Sequence, residues 1–228
     1  CYTLWLENLN MFKSVFQLFK IARKLAVSGA VDTIDEVYKI PFAIKIFFDL
    51  FSIGSSKKNF PNHKKPGQKL CDALEGMGTT FIKLGQFLAT RPDIIGETLT
   101  NDLVKLQDKL PPFELYESKK ILKKEIGEKL YKNIIELSEP IAAGSIAQVH
   151  IAKINIDNKL NEVAIKILRP DIEKEFNEEL DALMLFAYII ESIFSKTKRL
   201  KLVEVVHLLR EITNIEMDLR FEAAAANE

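Results

Sequence analysis

Residues 140–168 read PIAAGSIAQVHIAKINIDNKLNEVAIKIL, and the fold class turns on them. Ile146–Ile154 alternates large and small side chains with β-branched enrichment, the pattern of a strand. Asp157-Asn158 supplies turn residues at the tip of segment 155–161. Glu162–Leu168, Glu-Val-Ala-Ile-Lys-Ile-Leu, reads as the partner strand, so 146–168 is predicted to be a β-hairpin. Arg169-Pro170-Asp171 then starts a helix whose acidic first turn suits the helix dipole, and which is predicted to reach about Phe194. Lys196–Lys201 is a basic turn, and a last helix is predicted from about Val203 to the end of the chain.

Upstream of the hairpin the pattern is helical. Leu115–Leu137 is lysine-rich and predicted helical. Leu99–Leu110 carries Leu99, Leu103, Leu106 and Leu110 on one stripe, with Pro111-Pro112 as its stop. Gln68–Ala89 reads as one or two helices with Gly76 and Gly78 between them. Ser52–Gly67, with Gly54, Ser55, Ser56, Pro61 and Pro66, is a linker. Residues 11–31 hold Lys13, Lys20, Arg23 and Lys24 and no acid. Lys13, Gln17, Lys20 and Lys24 fall on one helical face, and Phe12, Val15, Phe16, Phe19, Ala22 and Ala26 on the other. Such a helix either lies in an anionic membrane interface or docks its phenylalanine face on the rest of the protein.

The composition narrows the function classes. With 228 residues, 47% apolar and 28% charged, the chain can build a core and is not disordered. Its 32 basic and 32 acidic residues cancel, which argues against a general nucleic-acid binder. Cys1 and Cys71 are too few for a disulfide framework or a cysteine zinc site, and a reducing compartment follows. His63, His150 and His207 lack metal-site company, so no metal site is expected. No run reaches the roughly 18–20 apolar residues of a membrane span. Ile40–Ile53 is interrupted by Lys45 and Asp49, and Leu183–Ile190 runs into Glu191. No secretory signal is evident. The sequence opens on Cys1 and its first methionine is Met11, so residues 1–10 are expected to be upstream read-through or a cloning scar.

A strand, a tight loop of small residues, a second strand and then Val-Ala-Ile-Lys is how a kinase small lobe opens. Backbone N–H groups approach phosphates only where side chains are short, and Ala142, Ala143, Gly144, Ser145 and Ala147 meet that need. Lys166, fixed on a strand, would reach phosphate oxygens as a point charge; its alternative is a solvated lysine on an edge strand. Asp218 and Glu222 stand four apart on one helix face, with Glu216 nearby. They repel unless cations or magnesium lie opposite, and Lys83 and Lys166 are the candidates. Their alternative is a solvated acidic face partnered by Arg210 and Arg220. For Lys83 the alternative is a helix-surface lysine, with Gly85 present for close packing.

Four segments together resemble the UbiB family of atypical protein-kinase-like proteins, whose bacterial members often carry the older label polyprenylphenol hydroxylase. Phe81-Ile-Lys-Leu-Gly-Gln86, followed by Arg91-Pro92-Asp93, is similar to its Lys-x-Gly-Gln motif. Pro140–His150 is similar to its alanine-rich loop, Val163–Lys166 to its lysine strand, and Glu216–Ala223 to its Glu-x-Asp motif. The resemblance implies an α+β, mostly α fold: a helical N-terminal extension followed by a partial kinase-like small lobe with a β-hairpin. It divides the chain into basic amphipathic helices and linker (1–65), a family-specific helical extension (66–138) and a truncated small lobe (139–228). It makes Lys166 the nucleotide lysine and Glu222 its ion-pair partner. Lys83 and Gln86 would lie on a helix covering the cleft, with Lys83 within ion-pair reach of Glu216 or Asp218. It implies ATP and Mg2+ as cofactors and a role in ubiquinone biosynthesis on the cytoplasmic face of a bacterial inner membrane. The partners would be the membrane surface and ubiquinone-pathway enzymes or isoprenoid lipid, with no nucleic acid. The family's Glu-Ala-x-Asn holds Ala225 at the Asn position. No segment resembles the catalytic-loop Asp or the metal-binding Asp, so an N-terminal fragment of an ATP-dependent kinase or ATPase, inactive alone, is expected from a split gene or a truncated frame. The reading from a different class is a non-enzymatic, membrane-peripheral module.

Overall fold

The computed structural model describes residues 16–61, 63–106 and 110–225. The chain forms two compact units, one of residues 1–107 with 174–214 and one of residues 108–173 with 215–228.

The first unit is helical. Its elements are a helix over residues 16–28 (α1), α2 (Ala30–Tyr38), α3 (Phe42–Ser52), α4 (Pro66–Met77), α5 (Thr79–Ala89) and α6 (Pro92–Leu103). To these it adds α8 (Ile172–Ile193) from residue 174, a short 3-10 turn (Ser195–Leu200) and α9 (Leu202–Met217) as far as residue 214. Proline opens α4 and α6, where its missing N–H costs nothing. Gly29 at φ 82° separates α1 from α2, and Gly78 at φ 105° separates α4 from α5. Two boundaries differ from expectation. Pro92 starts α6 seven residues ahead of Leu99, the helix departs from helical geometry at Gly96 (φ 70°), and it ends at Leu103, well short of Leu110. Leu106, predicted on the same stripe, is buried outside any helix.

The faces of α1 also differ from the pattern read in sequence. Gln17 donates to Glu178 (2.9 Å) and Lys24 to Glu179 (2.6 Å), both on α8. Part of the basic face, Gln17 and Lys24, thus turns inward, because Glu179 is only 5% exposed and a buried carboxylate requires a cation, while Lys20 of the same face stays exposed. Ile21, Ala22 and Ala26 are buried, while Phe16 and Phe19 stay 70% and 53% exposed. Phe12, Lys13 and Val15 lie outside the described residues. No described helix is long and apolar enough to cross a membrane.

The second unit contains α7 (Leu115–Tyr131), an antiparallel sheet of β1 (Ile134–Ala143), β2 (Ala147–Ile156) and β3 (Lys159–Leu168) in that order, and α10 (Leu219–Ala225). The β2–β3 turn is the predicted one, with Asp157 and Asn158 both at positive φ, as a two-residue hairpin turn requires. The kinase-like order implies a strand ahead of the small-residue loop, but the sequence pattern reads the residues of β1 as helix as far as Leu137. Helix α7 departs from helical geometry at Gly127 (φ 78°) and stops at Tyr131, so residues 134–137 belong to the sheet. Register shifts on either side of Pro140 break the alternation that would have marked β1 in sequence. Leu122 of α7 packs with Leu137, Ala152 and Ile167 to form the core of this unit. The last predicted helix is likewise two: α9 ends at Met217 and α10 begins at Leu219.

Candidate functional site

In the sheet's pairing, Ala142 lies opposite Val149, and Val149 opposite Lys166. Residues directly opposite share a face, so these three form one row. The neighbouring rows, Gln148 with Ile167 and His150 with Ile165, lie on the other face, the one packed on α7. Lys166 therefore stands on the face away from α7. There its Nζ donates to Glu222 Oε2 of α10 at 2.5 Å, across 56 residues of sequence. Side-chain exposure is 34% for Lys166 and 62% for Glu222. A half-exposed pair of this kind contributes at most about 1 kcal/mol to stability; its effect is to hold an ammonium at a fixed place.

Beside this row the chain turns from β1 to β2. Ala142 and Ala143 belong to the end of β1, and the N–H of Gly144 donates to Ala147 O at 2.8 Å, closing the turn. Ala142, Ala143 and Gly144 are at least partly exposed, whereas Ser145 is fully buried. Arg169 holds the turn in place. Its Nη2 and Nε donate to Gly144 O at 2.7 and 3.1 Å, its Nη2 to Pro111 O at 3.0 Å, and its backbone N–H to Ile146 O at 2.9 Å. Its guanidinium also lies 5.8 Å from the Phe113 ring centroid.

A buried polar network backs the turn from the α7 side. Gln148 Oε1 accepts from Phe113 N–H (2.9 Å), and Gln148 Nε2 donates to Phe113 O (3.1 Å) and Ser118 Oγ (2.9 Å). Gln148 Nε2 also lies 3.0 Å from His150 Nε2, and His150 Nδ1 lies 2.7 Å from Ser138 O. A carbonyl accepts only, so Nδ1 carries the hydrogen and Nε2 is an acceptor, sharing the two hydrogens of the Gln148 amide with Phe113 O and Ser118 Oγ. Arg169, Gln148, Ser118 and Ser138 were not singled out in sequence. Gln148 carries a signal in sequence, a polar side chain between Ala147 and Val149 of an apolar strand; Ser118, between Glu117 and Lys119, and Ser138, before Glu139, carry none.

Of the other residues singled out, Asp218 stands at the break between α9 and α10. Its Oδ1 accepts from the Arg220 N–H at 3.1 Å, an N-cap bond, and from Arg220 Nε at 2.7 Å. The guanidinium beside it holds the Asp218 carboxyl below the usual range, with the backbone bond acting in the same direction. Glu216 is the last residue but one of α9, on an exposed position. Arg210 pairs with Asp181. Lys83, Gly85 and Gln86 lie on α5, in the first unit. A Cβ at Gly85 would come within 2.7 Å of Leu106 and 2.8 Å of Leu74, so the glycine is required for packing. Arg91 and Asp93 pair with each other.

The geometry suits the phosphate end of a nucleotide: a fixed cation beside a turn with almost no side-chain bulk. It does not by itself suit a metal. Among the described residues no group of three His, Cys, Asp or Glu is placed to hold one, and Glu222 is engaged by Lys166.

Residues 105–228 match the ABC1 atypical kinase-like domain. The chain is 36% identical over 200 residues to a protein named "Probable protein kinase UbiB" from Marinobacter nauticus, covering 87% of this chain and 35% of that protein. Proteins of the same name from Azotobacter vinelandii (36% over 157 residues) and Vibrio cholerae (35% over 164 residues) are similar across 68% and 72% of this chain. The chain spans about a third of the length of the curated relatives it matches. No solved structure matches it.

Proposed function

The chain belongs to the UbiB family of ABC1 atypical kinase-like proteins, and we propose that it carries the phosphate-contacting half of an ATP-dependent kinase or ATPase supporting ubiquinone biosynthesis. The observation that supports this most is the Lys166–Glu222 pair at 2.5 Å beside the small-residue turn. In this reading Lys166 places its charge against phosphate oxygens. Glu222 keeps the ammonium from swinging into solvent, and Ala142, Ala143 and Gly144 let the nucleotide come close to the backbone. ATP, when bound, supplies the transferable phosphoryl group. No ligand of the accompanying magnesium is assigned to this chain. Lys83 and Gln86 keep the cleft-covering role of the family motif, with Glu216 or Asp218 as the acid partner of Lys83; a charge swap between Lys83 and Glu216 that restores what either single reversal loses would support that pairing.

By itself the chain is proposed not to transfer phosphoryl groups, since none of its segments resembles the family's catalytic loop. Titration of 15N-labelled chain with Mg-ATP should give dissociation constants no tighter than about millimolar. Shifts should concentrate at Ala142–Gly144, Lys166 and Glu222 and vanish in Lys166→Ala. Shifts elsewhere only would refute the site, and micromolar binding lost in Lys166→Ala would refute the weak binding expected of this chain alone.

A second reading is a membrane-peripheral module on the cytoplasmic face of a bacterial inner membrane, binding isoprenoid lipid or ubiquinone-pathway enzymes. The exposed apolar side chains of α3 favour it.

A further inference from the structure

Helix α3 is apolar nearly all the way round. Ile44, Phe48 and Phe51 point into the first unit, where they pack with Ala26, Val31 and Phe186. That accounts for one face only. Phe42 (77% exposed), Ile46 (50%), Leu50 (64%) and Ile53 (68%) recur at spacings of four, four and three, forming a second stripe that faces out. At the end of the stripe the Phe19 ring packs 5.3 Å from that of Phe51, and Phe16 and Phe19 extend the apolar surface onto α1. Single exposed apolar residues are ordinary, but six of them on two helices that meet through Phe19 and Phe51 mark a contact surface.

The charges around the stripe indicate what it contacts. Lys39 is exposed just ahead of Phe42, and Lys20 and Arg23 are exposed on α1. Arg23 reaches the last turn of α3, donating to Phe51 O at 3.3 Å, so its guanidinium is anchored beside Leu50 and Ile53. The nearby acids are neutralised on the protein: Asp35 pairs with Lys45 and Asp49 with Lys57, each at 2.7 Å. The stripe is thus apolar, flanked by cations and free of uncompensated acid. A second copy of the chain docked symmetrically would bring these cations together, which is unfavourable. An anionic lipid surface accepts both features, the apolar side chains at the acyl boundary and the cations among the headgroups.

We infer that the outward stripe of α3, with Phe16 and Phe19 of α1, is the surface by which this protein sits on an anionic lipid bilayer. The inference rests on the membrane-peripheral reading and replaces the basic face of α1 as the contact, since Gln17 and Lys24 of that face are engaged with α8. The test is co-sedimentation of the full chain with phosphatidylglycerol-containing vesicles, with phosphatidylcholine vesicles as the neutral control. The comparison is with Ile46→Asp/Leu50→Asp and, as a gentler pair, Ile46→Ser/Leu50→Ser. Both positions are exposed, so circular dichroism should be unchanged. Binding by the parent chain and a drop of about a hundredfold in the Asp pair, smaller in the Ser pair, is expected, because two aliphatic side chains leave the acyl boundary and two charges enter it. Equal binding by parent and variants would overturn the α3 assignment while leaving a membrane contact elsewhere on the chain. Failure of the parent chain to bind any vesicle would overturn both the assignment and the membrane-peripheral reading. A dimer abolished by the substitutions, without vesicle binding, would make a second copy the occupant. A gain of binding on removing residues 1–15 would make that segment the occupant. Either result would overturn the inference.

Discussion

Replacing Gln148 with methionine keeps the volume of the side chain and removes its amide. Four groups then lose a partner, three of them acceptors that share the two hydrogens of the amide. His150 Nε2 and Ser118 Oγ are fully buried; the N–H and C=O of Phe113 are partly so. A buried polar group left unpaired costs about 1–3 kcal/mol and a partly solvated one nearer 1 kcal/mol. Because the losses overlap, about 3–5 kcal/mol is expected. That is a large share of the stability of a unit this size. The chain has two units, so a single unfolding midpoint would mix them; hydrogen exchange at β2 amides under increasing urea reads the second unit directly. The effect should extend to the loop, since Phe113 lies under Arg169 and Arg169 holds Gly144 O: amides of residues 144–146 should exchange faster too. With His150→Phe already present, Gln148→Met should cost less, because one of the groups it orphans is gone. A loss below about 1 kcal/mol, or full additivity with His150→Phe, would refute the account of the network.

Asp218→Ala should fray α10 and broaden the Glu222 resonances, because the cap on the Arg220 N–H disappears. The Asp218 pKa is lowered in the fold, so its contribution is present above the ordinary carboxylate value of 3.8 and is lost as pH falls through the lower folded value; parent and variant melts should converge there, and a constant gap down to the lowest pH would count against this role. Gly29→Ala puts a Cβ 2.6 Å from the Phe60 ring and 2.9 Å from Lys58 O at φ 82°, where Lys58 is fixed by its own 2.8 Å bond to Val27 O. About 3 kcal/mol of destabilisation is expected in thermal melts, and an unchanged melt would contradict the geometry. Burial pushes the Cys71 thiol from 9.0 up to about 11, so near pH 8 iodoacetamide should alkylate it about a hundredfold more slowly in the native chain than in urea; similar rates would show the site to be open.

The hairpin 146–168 was legible because both strands alternate cleanly and Asp157-Asn158 fits the turn. Strand β1 was not, because its register shifts around Pro140 erase the period-two signal and a lysine-rich helix runs up to it. Lys166 and Glu222 were found through motifs, and their meeting is a tertiary fact no local pattern contains. The faces of α1 were misread for a related reason. Gln17 and Lys24 look like a solvent face until Glu178 and Glu179 are brought against them by an element more than 150 residues away. The outward stripe of α3 was written in the sequence as apolar residues, but only the packing of Phe48 and Phe51 shows which of them are left over.

The buried network and the exposed lysine are two consequences of one alignment. A strand that slips by one residue exchanges its faces, and a slip of β3 against β2 would turn Lys166 toward α7 and Ile167 toward solvent. Apolar side chains already oppose this, since β3 carries Val163, Ile165 and Ile167 on the face toward α7 and Glu162 and Lys166 on the other. Gln148 and His150 oppose a slip of β2 against its neighbours strongly. Their amide and ring atoms are satisfied only where they meet Phe113, Ser118 and Ser138, and any other alignment leaves several of them buried and unpaired. With β2 fixed, β1 and the Gly144 turn are fixed on one side and Lys166 opposite Val149 on the other. We argue that this is why two polar side chains occupy the centre of an otherwise apolar face. Apolar residues there would pack as well but would leave the face taken by Lys166 less strictly specified, and the pair with Glu222 is too weakly stabilising to choose it.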